Sequence, residues 1–151
     1  MPQSPIRVLF VCHGNICRST MAEFVLKDMV ARRGLAEQFH IESAATSTEE
    51  IGNPVHPGTA AVLREHGIGG CEAKRARQLR RTDYDAFDFI IGMDTANIRN
   101  MNWILGGDPD GKVFKLLEFA GTSRSVDDPW YTGDFEATWQ DVLSGCQGLL
   151  R

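Results

Sequence analysis

The sequence predicts one α/β domain spanning residues 1–151, a three-layer sandwich whose four-stranded, mostly parallel sheet carries helices on both faces. Three observations lead there. Short apolar runs alternate with segments whose apolar residues recur at helical spacing, the pattern of strand–helix–strand crossovers. The 151 residues make one ordinary domain, with no internal repeat, low-complexity tract or linker. Cys12, Ser43, Asp94 and Asp128 each come after a predicted strand, and the carboxyl ends of parallel strands share one sheet edge, where ligand crevices form.

The first strand covers residues 6–11, because Ile6, Val8, Leu9, Phe10 and Val11 form the near-continuous apolar run of a strand buried on both faces. A loop from Cys12 then opens onto a helix running from 17 or 18 to 33. Its Ala22, Val25, Leu26 and Met29 share one face, Glu23 and Lys27 form an i, i+4 pair on the outer face, and Gly34 ends it. Residues 39–43 make a second strand. Residues 46–57, rich in Ser, Thr, Gly, Asn and Pro, read as a loop with Glu49 and Glu50 solvated. Pro57 starts a helix through Ala61, Val62 and Leu63 to a stop at Gly67, with His56 and His66 at the surface.

Residues 71–81 carry Lys74, Arg75, Arg77, Arg80 and Arg81, read as a solvated basic face in preference to a dock for an acidic partner. Residues 87–92 form a third strand. Asp94 suits the N-cap of the next helix, with Ile98, Met101 and Leu105 on one side. A turn-rich loop at 106–111 leads to a fourth strand over 112–117. The polar loop 123–133 holds Asp127-Asp128-Pro129-Trp130-Tyr131, an ordinary turn signal when taken alone. The last helix begins near Asp134 and buries Phe135, Trp139, Val142, Leu143, Cys146 and Leu150.

A net charge of −4 argues against a generic nucleic-acid binder. The four cysteines, at 12, 17, 71 and 146, have neither zinc-site spacing nor the density of a secreted disulfide scaffold. No apolar run reaches membrane-spanning length, and the one after Met1-Pro2-Gln3-Ser4-Pro5 is too short for a signal-peptide core. A cytoplasmic protein without a membrane partner is expected.

The chemistry concentrates in the first loop, Cys12-x5-Arg18, between a strand and a helix start. A helix N-terminus offers unpaired N–H groups and the positive end of the dipole, which suit an anion such as phosphate. Gly14 lets the backbone approach closely, and the planar fork of Arg18 can hold two phosphate oxygens. In such a setting a cysteine becomes a thiolate nucleophile, and Ser19 is placed to donate to Cys12. A Cys and an Arg at this spacing also occur by chance in buried positions; the strand before, the helix after and the Gly and Asn inside favour the functional reading.

The segment Cys12-His13-Gly14-Asn15-Ile16-Cys17-Arg18-Ser19-Thr20-Met21-Ala22-Glu23 resembles the signature of the low-molecular-weight protein tyrosine phosphatases. The likeness continues in order through Ser43-Ala44-Ala45-Thr46-Ser47, Ala76-Arg77-Gln78, Met93-Asp94 and Asp128-Pro129-Trp130-Tyr131. It implies a hydrolase of phosphotyrosine in proteins, or of small aryl phosphates, that releases inorganic phosphate through a cysteinyl-phosphate and needs no metal or cofactor. By that resemblance Cys12 is the nucleophile. His13, Gly14, Asn15, Ile16, Cys17 and Arg18 hold the phosphate, with Ser19, Asn15 and Ser43 supporting the loop, and Asp128 is the general acid and then base. Trp130 and Tyr131 form a pocket wall, or else anchor their loop. Ser43 alone reads as a turn residue, whereas the family places it under the loop, bonded to Asn15. Asp94 is a cap first; the family adds an orienting contact to Arg18. Mild oxidation pairing Cys12 with Cys17 is a further implication.

Two positions depart from the family pattern. Lys74 stands where many relatives have a His that joins the Asn and Ser hydrogen bonds, and Glu49 replaces an aromatic residue at the mouth, which disfavours acidic peptides. Other readings of the loop fit less well. A thiol-coupled arsenate reductase needs a downstream pair of close cysteines, and Cys71 stands alone. Protein-arginine phosphatases carry a small polar residue in place of Ile16. A phosphate-binding module without turnover has no use for Asp128.

Overall fold

The computed structural model describes residues 4–150; Met1, Pro2 and Gln3, on which part of the leader argument rests, lie outside the described residues. Strands β1 (Ile6–Cys12), β2 (Phe39–Ala45), β3 (Phe89–Gly92) and β4 (Val113–Lys115) form one sheet in the order β2-β1-β3-β4, with every neighbouring pair parallel. The helices are α1 (Arg18–Arg32), α2 (Pro57–Glu65), α3 (Asp83–Ala86), α4 (Thr95–Leu105), α5 (Pro129–Thr132) and α6 (Phe135–Leu149). No helix among the described residues is long and apolar enough to cross a membrane.

The central strand explains its apolar run. Successive strand residues face opposite sides, so Val8, Phe10 and Cys12 enter one core with α1, α2 and α6. Leu9 and Val11 enter the other, with Tyr84, Phe87, Met101 and Leu105. Between the two cores Leu9, Phe10 and Val11 are fully buried. The register aligns Cys12 with Ala45, Val11 with Gly92, and Gly92 with Lys115. The carboxyl ends of the strands thus form one edge, at which β1 delivers Cys12.

The structure corrects several expectations. The fourth strand is Val113–Lys115 only, because the chain turns into a 3-10 helix at Leu116–Ala120 that packs under α6. That packing requires glycine inside α6: a Cβ on Gly148 would lie 1.9 Å from the Phe119 carbonyl oxygen. Part of the polar loop, Pro129–Thr132, is a short helix. Glu23 is not on an outer face. It pairs with Lys27 at 2.6 Å, yet it is buried, because the first turns of α1 are covered on all sides. His56 is half-buried beside Trp130 and Phe135, whereas His66 remains exposed, stacked on Trp139.

The basic stretch is only partly a solvated face. Arg75 and Arg80 are exposed, but Arg77 is half-buried and donates to Asp83 Oδ2 at 3.0 Å and to Glu42 Oε1 at 3.2 Å. Burial raises the pKa of Glu42, but its hydrogen bond with His40 and the charge of Arg77 more than offset this and hold it below the ordinary value. A carboxylate depressed in the folded state stabilises above its unfolded pKa of about 4.3 and loses that contribution as pH falls through the folded value. Glu42→Gln should therefore cost stability at neutral pH and progressively less below about pH 4. Urea midpoints of the two proteins converging in acid would show this; a gap independent of pH would refute it.

Candidate active site

Cys12 ends β1, and residues 13–17 curve beneath the N-terminus of α1. Asn15 makes the curve possible by taking φ +59°, the one positive φ on a non-glycine residue among those described. Asparagine tolerates this left-handed conformation better than most residues. Here it is fixed from three sides: Nδ2 donates to Ser19 Oγ and to Ser43 Oγ, both at 2.8 Å, and Oδ1 accepts the Arg77 N–H at 3.2 Å. The Asn15–Ser43 bond implied by the resemblance is present. Among the described residues, the backbone N–H groups of 13–17 donate to no protein acceptor, and Cys17 at the N-cap of α1 makes no side-chain cap bond. A ring of free donors at a helix N-terminus is an anion cradle.

Ser19 and Cys12 meet inside this curve. Ser19 Oγ lies 3.0 Å from Cys12 Sγ, and the Ser19 N–H points to the same sulfur at 3.5 Å. Donors directed at a sulfur stabilise negative charge on it. The second thiol behaves differently: burial, followed by the charges on Cys12 and Asp128, pushes Cys17 up to about 12. Cys17 is therefore a protonated thiol at neutral pH. Cys71 and Cys146 are also free and buried, and Cys146 sits in the core as expected.

Arg18, the first residue of α1, is 2 % exposed. One guanidinium nitrogen donates to Asp94 Oδ2 at 2.7 Å and to the Val126 carbonyl at 2.9 Å; the other faces Asp128 Oδ2 at 3.4 Å. Its Nε is the one buried side-chain nitrogen or oxygen without a hydrogen-bond partner among the described residues. Burial works against its charge, but Cys12, Asp94 and Asp128 reverse the balance and raise it above the usual arginine value. A buried guanidinium with an unused donor beside a ring of free N–H groups is built for an oxyanion.

The two aspartates are held alike. Asp94 Oδ1 caps α4 through the Asn97 N–H, leaving Oδ2 for Arg18. Capping and orienting Arg18 are thus both realised. Asp128 Oδ1 accepts the Trp130 N–H, leaving Oδ2 toward Arg18. Cys12 is the last residue of β1, Ser43 lies within β2 and Asp94 follows β3 by two residues, but Asp128 arrives from well beyond β4. Its approach is set by Val126, 1 % exposed, whose N–H donates to the Met93 carbonyl at 2.9 Å and whose own carbonyl holds Arg18.

Cys12, Gly14, Ile16, Cys17 and Asp128 line a cleft of about 100 Å³, with Trp130 and Tyr131 on one side and His13, Glu49 and Glu50 on another. Ile16 is buried there, packed with Cys17 and Ala76 against Phe135. The larger groove near Val55, Ile68 and Cys71, about 290 Å³, shares no lining residue with it. Glu49 is exposed as expected, but it pairs with His13 at 3.0 Å across the rim. Glu23, Val126, Arg77 and His56 were not singled out as site residues, yet each touches the site or its supports. Glu23 and Arg77 fall in segments that carry the resemblance, and Val126 shows as a lone apolar residue between Ser125 and Asp127. Among the described residues, no cluster of His, Cys, Asp and Glu could hold a metal ion.

Comparison with known proteins agrees with this geometry. The family described as low molecular weight phosphotyrosine protein phosphatase matches residues 7–151. The low molecular weight protein-tyrosine-phosphatase YfkJ of Bacillus subtilis is 42% identical over 147 residues, covering 96% of this chain and 94% of that protein. Its crystal structure superposes with a TM-score of 0.94 over 99% of this chain and 95% of that one. A low molecular weight phosphotyrosine protein phosphatase of Schizosaccharomyces pombe is 43% identical over 151 residues, covering 97% of this chain and 96% of that protein. Matched along nearly its whole length in both sequence and fold, the chain belongs to the low molecular weight protein tyrosine phosphatase family.

Proposed function

We propose that the protein hydrolyses phosphotyrosine in proteins, and small aryl phosphates, in two displacements at Cys12. The observation that carries this reading is that Cys12 and Asp128 line one cleft while the buried Arg18, whose Nε has no partner, donates to the Asp128 carboxylate. In the first displacement the Cys12 sulfur forms a bond to phosphorus while the bond from phosphorus to the phenolic oxygen breaks. Asp128 gives its proton to that oxygen, so the leaving group departs as a neutral phenol. The free N–H groups of residues 13–17 and the Arg18 guanidinium hold the equatorial oxygens in both the ground and transition states, and they supply the positive field. In the second displacement Asp128 takes a proton from water, the water oxygen bonds to phosphorus, and the S–P bond breaks to release inorganic phosphate.

Asn15, Ser19 and Ser43 support the loop, and Trp130 and Tyr131 offer the phenyl ring a flat apolar side. With Cys17 protonated, Cys12 is the nucleophile of the pair. Four free, buried thiols suit a reducing compartment, and we place the protein in the cytoplasm. Acid quenching during turnover of para-nitrophenyl phosphate, followed by peptide mass spectrometry, tests the mechanism. One phosphoryl group is expected on the peptide holding Cys12. Turnover with that peptide unmodified at every quench time would remove the covalent step.

A further inference from the structure

Of the two aromatic residues at the mouth of the cleft, one is held in place by another ring. Tyr131 is 83% exposed and, among the described residues, pairs with no aromatic ring. Trp130, 58% exposed, meets the His56 ring edge-on, with 5.8 Å between centroids and 82° between planes. His56 is in turn stacked on Phe135, at 5.0 Å and 22°. Phe135 packs on Ile16, Cys17 and Ala76, and it closes so tightly on α2 that a Cβ on Gly58 would lie 2.5 Å from its ring. The row Phe135–His56–Trp130 therefore runs from the cradle to the rim of the cleft.

His56 has a rigid footing. Its backbone N–H donates to the Ile16 carbonyl at 2.9 Å, and three residues later Thr59 Oγ1 donates to the Cys17 carbonyl at 3.2 Å, so the start of α2 is tied to the cradle. The His56 Nδ1 accepts the Gly58 N–H at 2.9 Å and caps α2. That bond orients the ring, because the lone pair of Nδ1 must point at the Gly58 N–H. At the other end the Trp130 N–H donates to Asp128 Oδ1 at 3.0 Å, so the aspartate fixes the backbone of Trp130 and the histidine its ring. Capping and buttressing can be separated: a carboxamide caps without a ring, and a phenyl ring stacks without capping.

We propose that His56 is a positioning residue for the substrate: it holds the Trp130 ring as the wall against which the aryl group packs. The inference rests on the reading of the cleft as an aryl phosphate site, but its test needs no turnover. Calorimetry with inorganic phosphate and with phenylphosphonate, an aryl ligand that cannot be hydrolysed, is compared in the wild type, His56→Asn and His56→Phe. In His56→Asn phenylphosphonate is expected to bind about 3- to 10-fold more weakly while phosphate binding is unchanged. His56→Phe is expected to bind both ligands as the wild type does, with a lower melting temperature from the lost cap. In a Trp130→Ala background His56→Asn should cause no further loss for phenylphosphonate. Wild-type affinities in His56→Asn overturn the proposal. So does an equal loss for both ligands, which places the effect in the cradle, or a loss that persists in Trp130→Ala. Should His56→Phe not fold, the comparison of His56→Asn with and without Trp130→Ala decides alone. Selective loss of phenylphosphonate in a protein that hydrolyses no aryl phosphate sinks the reaction and leaves the positioning role standing; unchanged affinities in an active phosphatase do the reverse.

Discussion

Replacing the proposed nucleophile, Cys12→Ser, is expected to reduce turnover of an aryl phosphate by about 10⁴-fold or more while phosphate binding changes only a few-fold. The asymmetry follows from how the site is built. The donors proposed to hold the oxyanion are the N–H groups of residues 13–17 and Arg18, and none of them passes through the sulfur. A serine hydroxyl in the same place is neutral, so it attacks phosphorus poorly. It also removes one of the negative charges facing Arg18, which favours a bound dianion. Steady-state kinetics, with inorganic phosphate binding followed by calorimetry, separates the two quantities. Turnover near the wild-type rate would transfer the nucleophile's role to another group; loss of both turnover and binding would mean the substitution had disturbed the cradle.

Asp128→Asn is expected to slow phenyl phosphate hydrolysis by about 10²–10⁴-fold and para-nitrophenyl phosphate hydrolysis much less. Phenolate is a basic leaving group that needs a proton as it departs, whereas para-nitrophenolate leaves readily without one. The one oxygen of asparagine can still accept the Trp130 N–H that caps α5, so that anchor is kept, while the contact that Oδ2 accepts from Arg18 is lost. What the variant lacks is a proton to give. Rates measured across a series of substituted phenyl phosphates provide the check, with a steeper dependence on leaving-group basicity as the expected result. Equal loss on every substrate would make Asp128 an electrostatic or positioning group.

Much of this site was legible in the sequence because its signals are local. A double-buried strand, a Cys-x5-Arg loop and a helix face lie together between residues 6 and 29, and the alternation in β1 reports two cores directly. Asp94 could be read as a cap because capping is settled within one turn. Glu23 could not be placed, since an acidic residue four before a lysine reads as a surface pair, and nothing nearby reveals that Ser43 and Lys74 cover it. β4 was overextended for a related reason: residues 112–117 are apolar enough for a strand, and only the close fit of Gly148 against Phe119 shows that the chain turns away. Arg77 looked like one more solvated cation, and its burial depends on partners at 42 and 83.

Arg18 precedes Val126 and Asp128 in sequence by more than a hundred residues yet bonds to both, and α1 is packed by the equally distant α6. During synthesis the thiol and its loop leave the ribosome long before Asp128 and α6. A nascent chain therefore holds only part of this site until residues 126–149 have also emerged.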